Sequence, residues 1–118
     1  MAILVTGGAG FIGRWVVEKL LNHHEVVALD NLSNGSVKNI SEFYGRPNFR
    51  FMKADVLDKE LLSSVFKEVD LCIHLAAQVN VQESLDYPER TFENNVVGTH
   101  NVLEACRRND GKIVLVGT

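Results

Sequence analysis

Proline is almost missing from this chain. Pro47 and Pro88 are the only two, and no Pro/Ser-rich tract, low-complexity segment or internal repeat is present. No interdomain linker is visible, and 118 residues make one domain's worth of chain. Cysteine is equally scarce. Cys72 and Cys106 lie in apolar segments and lack metal-ligand spacing. They read as reduced core residues of a cytoplasmic protein, and no metal site is expected. No apolar run approaches the roughly 20 residues of a membrane-spanning helix. The opening Met1-Ala2-Ile3-Leu4-Val5 has no basic region and runs straight into glycines, unlike a secretory signal. Basic charge is not in excess either. The net charge of −3 argues against a nucleic-acid footprint. Hydrophobic residues at 46% and charged residues at 23% are ordinary globular values, which excludes disorder and collagen-like order.

What is present is an alternation. Short apolar, β-branched runs at 2–5, 25–29, 48–52, 70–75 and 112–116 read as strands. Between them, 11–22 carries an apolar stripe at positions 12, 16, 17, 20 and 21, and 58–69 carries Leu61, Leu62, Val65 and Phe66 at helical spacing. Residues 87–108 predict a long helix with Pro88 in its first turn, where a missing N–H costs nothing. The polar stretch 30–45 predicts a loop with a short helix near 37–43. Strands alternating with helices imply an α/β fold, a doubly wound parallel sheet of Rossmann type that ends after its fifth strand. Ligands bind such sheets at the carboxyl ends of the strands. The unusual residue clusters, 6–13, 30–35, 55–58 and 75–80, all fall at those ends.

Thr6-Gly7-Gly8-Ala9-Gly10-Phe11-Ile12-Gly13 joins the first strand to the first helix. It satisfies two spacings. Gly8, Gly10 and Gly13 fit G-x-G-x-x-G, and Gly7, Gly10 and Gly13 fit G-x-x-G-x-x-G. In either, one glycine permits a tight turn, one lets backbone approach a pyrophosphate, and one lets the helix pack on the strand. Free amides and the helix dipole then hold the phosphates. The bland alternative is a glycine-rich turn without a ligand, but its place at the first strand–helix junction favours dinucleotide binding. No Gly-Lys-Ser/Thr follows, so it is not a P-loop.

Asp30 ends the second strand, 17 residues after Gly13. An acid there accepts from the adenosine ribose hydroxyls and repels a 2′-phosphate, and Asn31 stands where an NADP reader often has Arg, so NAD is expected. The alternative is a turn-forming Asp-Asn pair. Asp55 ends the third strand, where its carboxylate can accept from adenine with Val56 against the ring. Helix capping is the competing role, for which Asp58 is better placed. His74, at the end of the fourth strand, reads as a packed, hydrogen-bonded residue rather than a catalyst. Asn94 and Asn95 interrupt a good helix, so one of them is expected to turn toward the site.

Together these segments resemble the extended short-chain dehydrogenase/reductase family, specifically nucleotide-sugar epimerases and dehydratases of the UDP-glucose 4-epimerase type. The resemblance is carried by Val5 to Gly13, Asp30-Asn31-Leu32-Ser33-Asn34-Gly35, Ala54-Asp55-Val56, His74-Leu75-Ala76-Ala77-Gln78 and Asn95-Val96-Val97-Gly98-Thr99, in the family's order along nearly the whole chain. It implies that Gly7, Gly10, Phe11, Ile12 and Gly13 hold the pyrophosphate of NAD. It places Asp30, Asn31, Ser33, Asn34 and Gly35 around the adenosine ribose and its phosphate, and Asp55 and Val56 at adenine. Leu75, Ala76, Ala77 and Asn95 would line the path to nicotinamide. The family transfers hydride at a sugar carbon, using a Tyr-x-x-x-Lys pair and a Ser or Thr after the fifth strand. Thr118 aligns with that Ser/Thr.

The chain departs from the family in one respect. Tyr44 is followed four positions on by Asn48 and Tyr87 by Thr91, so no Tyr-x-x-x-Lys occurs. The expectation is therefore an incomplete NAD-binding Rossmann domain over 1–118, lacking the substrate domain and inactive alone. The nucleotide sugar would be the partner of the full-length enzyme. The family's helix at 87–108 commonly helps form a dimer, which leaves a homodimer open. Two other readings compete: a stand-alone dinucleotide-binding or sensing module without catalysis, and an extended reductase acting on a non-sugar ketone.

Overall fold

A computed structural model describes residues 1–33, 35–76 and 85–116. Five strands form one parallel sheet: β1 (Ala2–Thr6), β2 (Glu25–Asp30), β3 (Phe49–Lys53), β4 (Leu71–His74) and β5 (Lys112–Leu115). Their spatial order is β3-β2-β1-β4-β5. The register sets Ile3 beside Val26 on one flank of β1 and beside Leu71 on the other. Helix α1 (Phe11–Leu20) covers one face, and α2 (Lys59–Phe66) covers the other. The order reverses direction at β1, so a crevice opens beyond its carboxyl end.

Alternation along the central strands divides the core in two. Ile3 and Val5 of β1, with Val26 and Ala28 of β2, pack against Val17 and Leu21. Leu4, Val27 and Leu29 face the opposite way, onto Leu62, Phe66, Val102 and Cys106. Both faces of these strands are buried, which is why each reads as an unbroken apolar run. Burying one such aliphatic side chain contributes about 1.5–3 kcal/mol.

The element bounds differ from expectation in informative places. α1 stops at Leu20, with Leu21 as its cap. Ile12, the first residue of the apolar stripe, is 60% exposed, whereas Val17 and Leu21 of the same stripe are buried. α2 is shorter than 58–69, and Asp58 caps it by accepting from the Leu61 amide at 3.1 Å. The short helix near 37–43 is two 3-10 turns, Val37–Asn39 and Ser41–Phe43. The long helix is divided into α3 (Pro88–Phe92), a π-helical segment (Glu93–Val97) and α4 (Gly98–Arg108). Two asparagines and two valines, weak helix formers, occupy the widened turn. Pro88 lies in the first turn, as expected.

Candidate functional site

The glycine loop is built around its own backbone. Gly7 adopts φ +71°, and a Cβ there would lie 2.9 Å from the Ala76 nitrogen and the Leu75 carbonyl carbon. A Cβ on Gly8 would meet the Ala28 Cβ at 2.7 Å, and one on Gly13 would meet the Gly8 Cα at 2.8 Å and run into the Gly7 carbonyl oxygen. Gly10 differs. It caps α1 with φ −79° and ψ 179°, a conformation open to any residue, and a Cβ there would touch only the Gly7 oxygen, at 3.3 Å. The packing of the chain gives no reason for glycine at position 10. Open space beside it does.

That space is a cavity of about 450 Å³ at the carboxyl ends of the strands. This lies within the usual range for small-molecule sites. Gly7, Gly10, Phe11, Ile12 and Gly13 form one wall. The end of β2 and the residues after it contribute Leu29, Asp30, Asn31, Ser33 and Gly35; the segment after β3 contributes Ala54, Asp55 and Val56. Leu75, Ala76 and Val116 close the remaining side. Gly8 is buried outside this lining, so the spacing that faces the cavity is Gly7, Gly10 and Gly13.

Asp30 is 7% exposed and held from two sides. Its Oδ2 accepts the Ala9 amide at 3.0 Å and its Oδ1 the Leu32 amide at 2.8 Å. Each oxygen keeps a further lone pair with which to accept from a ligand hydroxyl. Leu32 follows with φ +66°, turning the chain back across the cavity. Asn31 donates through Nδ2 to Asp55 Oδ2 at 3.1 Å, while the other Asp55 oxygen accepts the Leu57 amide at 3.0 Å. The ends of β2 and β3 are thus joined. Gly35 lets the returning chain approach Ala9, whose carbonyl accepts from the Ser36 amide at 3.0 Å and from Asn39 Nδ2 at 2.7 Å. The described lining contains two carboxylates and no Lys or Arg, so a phosphate would be met by backbone amides and the positive end of α1.

His74 is buried and hydrogen-bonded through both ring nitrogens, to Thr6 Oγ1 at 2.6 Å and Thr99 Oγ1 at 2.9 Å. Burial lowers its pKa below the ordinary value. Asn95 sits half-buried in the π-helical segment and is not among the described residues lining the cavity. Asn34, Ala77, Gln78 and Thr118 lie outside the described residues, and the side chain of Asn94 is likewise not described. Sequence reasoning gave no site role to Leu29, Ala54 or Val116. The first two stand immediately before Asp30 and Asp55, so the strand ends themselves carried the signal. No group of three or more His, Cys, Asp or Glu among the described residues can hold a metal ion. Nor is any helix there long and apolar enough to cross a membrane.

Residues 4–118 match the family model described as GDP-mannose 4,6 dehydratase. The chain belongs to the nucleotide-sugar epimerase and dehydratase family. A putative UDP-glucose 4-epimerase of Methanocaldococcus jannaschii is 45% identical over 119 residues, covering 98% of this chain and 37% of that protein. Among solved structures, Pal from Bacillus thuringiensis superposes with a TM-score of 0.95 at 51% identity, over all of this chain and 39% of that one. The Thermus thermophilus UDP-glucose 4-epimerase in complex with NAD superposes with a TM-score of 0.81 at 42% identity, over 93% of this chain and 35% of that one. The chain therefore spans about a third of the length of the curated family members it matches, 37% and 35% of the first two.

Proposed function

We propose that the cavity binds NAD, and that these residues are the cofactor-binding part of an NAD-dependent nucleotide-sugar epimerase or dehydratase acting on a substrate such as UDP-glucose or UDP-galactose. The observation that carries this reading is Asp30. Its carboxylate is fixed by two amides in the wall of a cavity that begins at an otherwise unexplained glycine, Gly10. The fit is good on the protein's side. Gly10 and Gly13 leave a backbone cradle at the start of α1, and the amides of Phe11, Ile12 and Gly13 have no carbonyl one turn behind them. The NAD complex of the Thermus relative supports the choice of cofactor.

Each residue group has a separate task. The α1 amides hold the pyrophosphate. Asp30 accepts from the adenosine ribose and excludes a 2′-phosphate, with Asn31, Ser33 and Gly35 forming the turn around it. Asn34 is assigned to the same turn. Asp55 and Val56 face adenine, and Leu75, Ala76, Ala77 and Asn95 are assigned to the nicotinamide side. NAD would supply hydride acceptance from a sugar carbon. The residues here bind and orient it. Thr118 is assigned to the reacting oxygen, and neither Tyr44 nor Tyr87 belongs to a Tyr-x-x-x-Lys pair that could take the hydroxyl proton. The nucleotide sugar is the second ligand of the whole protein, and two free thiols fit a reducing, cytoplasmic setting.

Calorimetric titration with NAD and with NADP tests the reading. NAD should bind at least tenfold more tightly, since a 2′-phosphate beside a carboxylate is opposed by several kcal/mol even in a partly screened site, about 4 kcal/mol at close approach. Asp30→Asn should narrow that preference. Equal or tighter NADP binding by the unaltered protein refutes it.

A further inference from the structure

Three residues outside the described cavity lining form a hydrogen-bonded chain that ends on it. Thr6 Oγ1 accepts the Leu75 amide at 3.0 Å and the Ala76 amide at 3.2 Å. Leu75 and Ala76 line the cavity, and their shared peptide lies against Gly7, the first residue of the glycine loop. With two amides on its oxygen, the Thr6 hydroxyl has its lone pairs occupied, so its own proton goes to His74 Nδ1 at 2.6 Å. Nδ1 is then an acceptor, the ring proton is on Nε2, and Nε2–H donates to Thr99 Oγ1 at 2.9 Å. The chain runs from α4, through β4 and β1, to the two amides. Thr6 is fully buried and His74 is 5% exposed, so the bond between them is shielded from water, while Thr99 at the far end is half-buried.

We infer that Thr99 and His74 are positioning residues for the cavity: through Thr6 they fix the Leu75–Ala76 peptide against the glycine loop and so set the affinity for the dinucleotide without touching it. The inference rests on the reading of the cavity as a dinucleotide site. The Ala76 amide is the sensitive point. Leu75 also donates to the Thr6 carbonyl at 3.1 Å, so it keeps a partner if the hydroxyl turns away. For the Ala76 amide the partner shown is the hydroxyl alone.

The test uses two variants of nearly equal shape. Thr99→Val removes the acceptor of Nε2–H and keeps the volume; Thr99→Ser keeps the hydroxyl. Nitrogen-15 spectra should show a neutral His74 ring with its proton on Nε2 in the unaltered protein. Thr99→Val should speed hydrogen exchange of the Ala76 amide about tenfold and weaken NAD binding about tenfold, the scale of one lost hydrogen bond. Thr99→Ser should restore both. A ring proton on Nδ1, unchanged Ala76 exchange in Thr99→Val, or failure of Thr99→Ser to restore either quantity overturns the inference. Wild-type NAD affinity in Thr99→Val overturns it as well. If the unaltered protein binds no NAD, the reading of the cavity falls separately. The positioning chain is then decided by the exchange of Ala76 alone, where faster exchange in Thr99→Val upholds it and unchanged exchange refutes it.

Discussion

Gly10 and Gly13 lie one turn apart, line the same cavity and carry the same absent side chain, yet the structure separates their roles. Alanine at 13 places a methyl carbon 2.8 Å from the Gly8 Cα and 2.9 Å from its carbonyl carbon. Both are backbone atoms that cannot swing aside. Overpacking of this kind costs about 1–3 kcal/mol. In a domain of this size about 1 kcal/mol moves the midpoint by roughly 4 °C, so Gly13→Ala should lower Tm by roughly 4–12 °C. Alanine at 10 meets one carbonyl oxygen at 3.3 Å, which a slight shift accommodates. Its φ is already favourable, and the smaller entropy of the unfolded chain returns about 0.4–1 kcal/mol. Gly10→Ala should therefore hold Tm within roughly 2 °C while placing a methyl group where a pyrophosphate must approach, weakening NAD binding about tenfold or more. Thermal unfolding followed by circular dichroism, paired with calorimetric titration of NAD, reads both effects. Gly10→Ala lowering Tm as much as Gly13→Ala, or binding NAD like the unaltered protein, refutes the reasoning.

Two other predictions follow from buried titratable groups. His74 has its pKa lowered below 6.5 by burial, so the unfolded chain takes up its proton before the folded one does. Stability is then complete above pH 6.5 and declines as the pH falls below it; Tm measured against pH should decline more steeply in the unaltered protein than in His74→Gln, and parallel curves contradict the assignment. The Cys72 thiol is pushed up to about 12 by burial and by the neighbouring Cys106. A thiol reagent at mildly alkaline pH should leave Cys72 unlabelled in the folded protein and label both cysteines in denaturant, whereas rapid labelling of folded protein shows the site to be open.

Much of the architecture was legible because a parallel sheet covered on both faces needs continuous apolar strands, and these stand out between polar turns. Position relative to the strand ends then picked out Asp30, Asp55 and the glycine loop without any knowledge of contacts. Spacing alone did not separate the two glycine patterns, since that depends on whether Gly8 faces Ala28 or the cavity; it was the family resemblance that favoured Gly7, Gly10 and Gly13. Helical periodicity identifies an apolar face but not where along the helix that face meets the sheet, so it does not reveal that Ile12 is exposed while Val17 is buried. The π-helical segment escaped because propensity reports weak helix formers without saying how the backbone absorbs them. Asn95, expected at the cavity, lies in that segment and is not among the described residues that line it. Thr6, His74 and Thr99 are far apart in sequence and carry no shared pattern. Only the bland reading of His74 as hydrogen-bonded pointed toward their association.

The central place of β1 also bears on how the chain is made. Its first neighbour, β2, begins at Glu25, but its other flank waits for Leu71 to pair with Ile3 and for His74 to reach Thr6, 68 residues away. At about 5–20 residues per second, the interval between residues 26 and 71 lasts roughly 2–9 s during synthesis. Throughout it, one edge of the apolar strand Ala2–Thr6 is open to any other strand that can pair with it. The strand that ends at the centre of the finished sheet is thus one whose second edge stays unpaired for most of the synthesis of this segment.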